Sequence, residues 1–199
     1  MTVKKPMPTR SSLSGFTLVE LIATISIAAV LLMLAAPSLS DFMRKQRVIT
    51  SVDSLTAAIG QARSIAIATN SYVTIAPVDN QNWSKGWQVF SEGQSPDGQY
   101  VATSDKLIGQ YDELPAGMGI TFDSTANIAG SIASKSSLTY SPAGYTVTTG
   151  RVPQVNAYFY VYYIDTKNPA RMLIINALGR ARTCDPVATP STCDKSLTQ

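Results

Sequence analysis

The sequence predicts an α+β fold, one long N-terminal helix followed by antiparallel strands. Three observations predict it. An unbroken apolar run occupies Phe16–Ala36, with Glu20 as its one charge. An apolar face then recurs at helical spacing from Val48 to Ala66. From Ser71 onward the texture changes to short β-rich segments between turn residues. At 199 residues the chain suits one domain with an appended segment, and is large enough to bury one sizeable core.

The first run reads FTLVELIATISIAAVLLMLAA and, as a helix, is long enough to span a bilayer core. A basic stretch, Lys4 to Arg10, precedes it. The alternative is a secretory signal peptide. Against it, the run is long, carries a carboxylate near its start, and follows the candidate cleavage point Gly15–Phe16 rather than preceding it. Flanking charge does not fix orientation, because Lys4, Lys5 and Arg10 on one side nearly balance Arg44, Lys45 and Arg47 on the other. An ionised Glu20 in hydrocarbon costs about 2.5–3.5 kcal/mol. Cleavage after Gly15 would create a compensating cation, the new α-amino group of Phe16, which in a helical filament can belong to a neighbour. The plainer alternative is a glutamate snorkelling to the membrane edge.

Pro37 should kink the helix. Beyond it Val48, Val52, Leu55, Ile59, Ala62 and Ala66 define one apolar stripe, with Arg44, Lys45, Gln46 and Arg63 largely elsewhere on the wheel. The helix should end near Thr69–Asn70. Candidate strands are Ser71–Ala76, Gly86–Phe90, Gly119–Phe122, Ser137–Tyr140, Tyr145–Thr148, Tyr158–Ile164 and Arg171–Asn176. Glu92–Ser104 and Asn127–Ser136 read as loops. Trp87 and the aromatics of Tyr158–Tyr163 read as core or sheet-face packing.

Composition excludes several chemistries. With no histidine there is no Ser-His-Asp or Cys-His arrangement, and the commonest metal ligand is missing. Two cysteines, Cys184 and Cys193, cannot build a four-cysteine zinc site. They read as a short disulfide loop, which places the body in an oxidising compartment. Adjacent Asp112 and Glu113 read as a solvated surface turn. Asp185 and Asp194 flank the cysteine loop but lack a glycine-bearing ligand loop for a cation. Nothing points to an enzyme, a metal or a cofactor. Without Lys4, Lys5 and Arg10 the remaining 13 basic residues face 13 acidic ones, so whole-chain charge does not mark a dedicated nucleic-acid binder.

Gly15-Phe16-Thr17-Leu18-Val19-Glu20-Leu21 resembles the cleavage motif of type IV prepilins and type II secretion pseudopilins. The resemblance implies cleavage between Gly15 and Phe16 by a prepilin peptidase, N-methylation of Phe16, and a role for Glu20 in docking during assembly. It also implies a helix that is half membrane anchor and half packed on sheet. Lys85–Phe90, Leu138–Gly144 and Leu173–Arg180 are similar, in this order, to segments of the GspH/FimT/FimU group. The expected organisation is therefore a leader over 1–15, a transmembrane helix over 16–36, an amphipathic helix over 37–70 and a β-rich domain over 71–199. The tight terminal cysteine loop favours a minor subunit over a major fibre protein. The implied role is structural, at the tip or priming complex of a type IV pilus. The partners are other major and minor pilins, and the body is periplasmic on a single-pass inner-membrane anchor. The GspH-like alternative is a type II secretion pseudopilus.

Gly179-Arg180-Ala181-Arg182 suggests a further role. Residues two apart on an extended segment face one way, so Arg180 and Arg182 would project together and can clamp phosphates. Between Arg151 and Thr183 five basic residues face one acidic residue, Asp165. The element resembles one associated with DNA binding in FimT-type minor pilins of transformable bacteria. The alternative is that both arginines pair with surface carboxylates or line a subunit contact.

Overall fold

The computed structural model describes residues 15–126, 136–153, 155–166 and 168–193, without the side chains of 34–37. Helix α1 runs Leu18–Thr69. Nine strands follow: β1 Tyr72–Pro77, β2 Trp87–Gly93, β3 Lys106–Tyr111, β4 Met118–Ala126, β5 Leu138–Tyr140, β6 Thr146–Val147, β7 Val155–Tyr163, β8 Pro169–Ile175 and β9 Ala181–Cys184. Short 3-10 turns occupy Trp83–Lys85 and Pro190–Cys193. The chain divides into two compact units, Met1–Met43 and Arg44–Gln199.

The expected stripe builds the core of the second unit. Val48, Val52, Leu55, Ile59, Ala62 and Ala66 are all buried, joined by Ala58. They form one cluster with inward residues of both sheets, among them Val73, Ile75 and Val89, then Phe159, Leu173 and Ile175. Fully burying one such side chain is worth about 1.5–3 kcal/mol, so this stripe anchors the helix. Leu39, Phe42 and Met43 remain exposed, as do the large apolar residues between Phe16 and Met33. Among the described residues no single helix is long and apolar enough to cross a membrane. Leu18–Met33 and Ser38–Thr69 pass such a test only as a bent pair. The helix assignment continues through Pro37, whose side chain lies outside the described residues.

Both sheets are antiparallel. The first has order β3-β2-β1-β5-β6 and the second β4-β7-β8-β9. Side chains alternate across each sheet, and both faces of each are used. In the first sheet Val73, Ile75, Trp87 and Val89 face the helix. Thr74 and Thr139 oppose each other, with hydroxyl oxygens 2.7 Å apart. Phe90, next to β2's core residues but a step out of phase, meets Tyr100 edge-on at 5.4 Å. The segment after β2 is thereby held over that face. In the second sheet Tyr158, Met172 and Ile174 form a separate outer cluster with Cys184 and Cys193. Trp83, in the turn between β1 and β2, packs on the second sheet, lying 4.7 Å from Phe159 and 5.3 Å from Phe122.

Several expectations need correction. Glu92 and Gly93 belong to β2 rather than to a loop. The expected strands at 119–122 and 158–164 extend to nine residues each. Strands β3 and β9 were not among the expected ones. Residues 127–135 of the expected loop Asn127–Ser136 lie outside the described residues, as do Asp194 and residues 1–14 of the expected leader.

Candidate functional site

Two regions carry the chain's distinctive residues: the start of α1 and the hairpin ends around Gly179. At the first, Thr17 precedes the helix and its hydroxyl oxygen accepts the backbone N–H of Glu20 at 3.2 Å. Thr17 thus caps the first turn, and Glu20 three residues later completes the Thr-x-x-Glu pattern of a capping box. Glu20 is the acidic residue of that first turn, where the helix dipole favours a negative charge. Phe16 is exposed. The local role of Thr17 was missed in reading the sequence, although Thr-x-x-Glu before an apolar run is a recognised signal. Gly15, Phe16 and Glu20 therefore sit together at one helix start.

The second region explains why Gly144 and Gly179 stand where they do. Arg63, from the flank of α1, donates through Nε to the Gly144 carbonyl at 2.8 Å and through Nη2 to the Leu178 carbonyl at 3.1 Å. The Tyr140 hydroxyl donates to the Gly179 carbonyl at 3.3 Å. A Cβ at Gly179 (φ 76°) would run into the Gly144 carbonyl oxygen and reach 2.7 Å from the Tyr140 ring. The segments Leu138–Gly144 and Leu173–Arg180 thus meet at one cation that belongs to neither. Burial pushes the Tyr140 hydroxyl well above its usual range, so it stays a neutral donor.

Beyond this junction Arg180 and Arg182 differ in environment. The backbone N–H of Arg180 donates to the Asn176 side chain at 2.9 Å, closing the β8–β9 turn. Its side chain is exposed, with no partner among the described residues. Arg182 is half-buried and donates from Nη1 to the Thr192 carbonyl at 2.6 Å, beneath the cysteine loop. Arg171 pairs with Asp185 at 3.3 Å, and Arg151 donates to the Gln94 carbonyl at 3.2 Å. Lys167 lies outside the described residues. Among the described residues Arg151, Arg171 and Arg182 thus each serve a local contact, and Arg180 is the exposed and uncommitted member of the arginine pair.

Cys184 and Cys193 are bonded, with Cα atoms 5.6 Å apart. Inside their loop the Asp185 carboxylate accepts the N–H groups of Val187 and Ala188, both at 2.9 Å. The Ala188 N–H foremost, then that of Val187 and the Arg171 guanidinium, hold its carboxyl below the usual range. Asp185 is therefore committed to the loop itself. Among the described residues no group of three or more His, Cys, Asp or Glu side chains is placed to hold a metal.

A long helix with an apolar N-terminal half, whose second half packs on two antiparallel sheets, defines a type IV pilin-like protein. Its family follows from residues 51–179, which match the model described as type II transport protein GspH; the chain belongs to that family. No curated protein matches the sequence. Among solved structures, the type IV minor pilin FimU of Pseudomonas aeruginosa is similar over 73% of this chain and 94% of its own, with 17% identity and a TM-score of 0.51. The minor pseudopilin EpsH of Vibrio cholerae matches over 70% of this chain and 98% of its own, with 14% identity and a TM-score of 0.44. At such identity the FimU likeness is one of fold.

Proposed function

We propose that this chain is a minor pilin, cleaved between Gly15 and Phe16, N-methylated at Phe16 and incorporated at the tip or priming complex of a type IV pilus. The observation that carries the reading is the start of α1. Phe16, the Thr17 cap and Glu20 occupy one turn at the head of a helix whose large apolar side chains are exposed through Met33. Such a surface needs lipid or neighbouring helices to cover it. In this reading residues 1–15 are a leader and 16–36 the inner-membrane span. The body from Arg44 onward faces the periplasm, where the disulfide is stable. The Glu20 carboxylate answers the Phe16 amine of an adjacent subunit. Family membership supports a filament subunit of the pilin or pseudopilin kind. A GspH-like place in a type II secretion pseudopilus uses the same machinery.

The test is genetic and biochemical together. Gly15→Arg should leave the leader attached, seen as a larger band on a denaturing gel. Glu20→Ala should be cleaved normally but lost from sheared filaments. Deletion should remove surface pili and leave exoprotein release intact; the reverse pattern would move the chain to a secretion pseudopilus. DNA capture would rest on Arg180 in particular, since Arg182 is occupied with the cysteine loop. Wild-type protein that shows no salt-sensitive DNA binding, or binding that survives Arg180→Ala, ends that role.

A further inference from the structure

We propose that a groove beside the first body turns of α1 holds the headgroup of an anionic phospholipid; this rests on the inner-membrane anchor proposed above and adds a lipid site to it. The groove, about 580 Å³, lies between Lys45 and Ile49 of the helix and Pro169, Arg171 and Val187 across from it. Ile49, Pro169 and Val187 make its walls apolar, and Val187 is 79% exposed. The cations around it are mostly committed. Arg171 is paired with Asp185 at 3.3 Å. Arg44 is paired with Asp165 and lies 4.0 Å above the Tyr163 ring. Lys45 is exposed, with no ion-pair partner among the described residues. One uncommitted cation thus stands at the edge of an apolar cleft. That combination suits a phosphate diester carrying hydrocarbon, because the apolar walls offer nothing to inorganic phosphate.

Chain reach points to the same occupant. Lys45 follows Ala36 by nine residues, a reach of about 14 Å along a helix. In the anchor reading Ala36 marks the edge of the hydrocarbon. The headgroup layer extends about 5–7 Å beyond that edge, so Lys45 stands within about 8 Å, one Debye length, of the lipid phosphates. Between Ala36 and Val48 the chain carries Arg44, Lys45 and Arg47 against one carboxylate, Asp41. Such an excess of cations beside a membrane span attracts anionic lipid, and the groove selects which cation carries the contact. Measured around the helix from the buried Val48, Lys45 and Ile49 project about 60° and 100° to the groove side, and Arg47 about 100° to the other. The phosphate is placed at Lys45 and the Asn168 amide, both lining the groove. The glycerol and the starts of the chains lie over Ile49 and Val187. Ile164, 55% exposed, belongs to the same β7–β8 turn that supplies Tyr163 and Thr166 to the groove.

The experiment places the mature full chain, with isotope-labelled isoleucine and valine methyl groups, in nanodiscs of phosphatidylcholine containing increasing phosphatidylglycerol. The Ile49 and Val187 methyl signals should move as phosphatidylglycerol rises, with a defined midpoint, while the core signal of Ile75 stays in place and reports that the body is folded. Lys45→Gln should raise the midpoint about fivefold, the share of one cation near an anionic surface. Lys45→Arg should keep it at the wild-type value. Arg47→Gln removes the same charge on the other side of the helix and should shift the midpoint far less. Signals that do not move with phosphatidylglycerol overturn the proposal. So does a wild-type midpoint for Lys45→Gln, or an equal effect of Arg47→Gln, which would mean diffuse attraction alone. The same movement produced by inorganic phosphate in pure phosphatidylcholine discs also overturns it. A chain that enters the discs yet shows no movement leaves the anchor reading standing; a chain that does not enter them overturns both.

Discussion

Gly179 has no room for a side chain, and that fact makes the junction around Arg63 testable one residue at a time. Gly179→Ala combines a positive φ with a clash into the Gly144 carbonyl and should cost more than the roughly 1 kcal/mol of an ordinary glycine change. Arg63→Ala strands two carbonyls that now receive a guanidinium and should cost about 1.5–3 kcal/mol. Urea titration of both variants checks this, and an unchanged midpoint for either would remove the junction from the account. Glu92 offers a pH test. Burial pushes its carboxyl up, against the opposing pull of Thr74 and of the Gly98 and Asp97 N–H groups. A carboxyl whose folded pKa is raised binds its proton more tightly when folded, so stability falls as pH rises from the ordinary carboxylate value of about 4.3 through the folded one. Glu92→Gln keeps an acceptor for the two N–H groups and removes the titration. Thermal melts should therefore show a flatter pH dependence for the variant than for wild type; parallel curves would contradict this.

At the scale of elements, the disulfide loop is a lid on the outer face of the second sheet. Cys184 and Cys193 pack with Tyr158, Met172 and Ile174, and Arg182 and Asp185 hold the backbone between them. Replacing both cysteines by serine should cost about 2–3 kcal/mol through the freed unfolded chain, measured by denaturant unfolding with and without reductant. A loss well below 1 kcal/mol would mean that the loop holds itself without the bond. The helix and most strands were readable because period and texture carry them: every expected position of the stripe from Val48 to Ala66 is buried, and the structure adds Ser51 and Ala58 to it. Strand β3 was not readable, because Lys-Leu-Ile-Gly-Gln-Tyr lies on an edge, is at least partly exposed throughout and shows no alternation. Strand β9 is four residues with an arginine in the middle, and only its pairing with Met172–Ile175 makes it a strand. The site was legible in part for the same reason. A local signal such as Phe16-Thr17-Leu18-Val19-Glu20 survives in sequence. The meeting of Arg63 with Gly144 and Leu178 spans distant segments, and no local pattern announces it.

For the whole molecule, the account joins an exposed apolar helix half to a body whose core uses the other half of the same helix. In the proposed reading, cleavage after Gly15 leaves Phe16–Ala36 in place with Glu20 as its one carboxylate. The central claim is that Glu20 acts in assembly rather than in folding or processing. The most direct measurement is the amount of mature chain in filaments sheared from cells, compared between wild type and Glu20→Ala at equal cellular levels. The account predicts that Glu20→Ala is cleaved after Gly15, retains the unfolding midpoint of its body, and is depleted at least about tenfold from the filament fraction. Recovery of the variant in filaments at the wild-type level would contradict it.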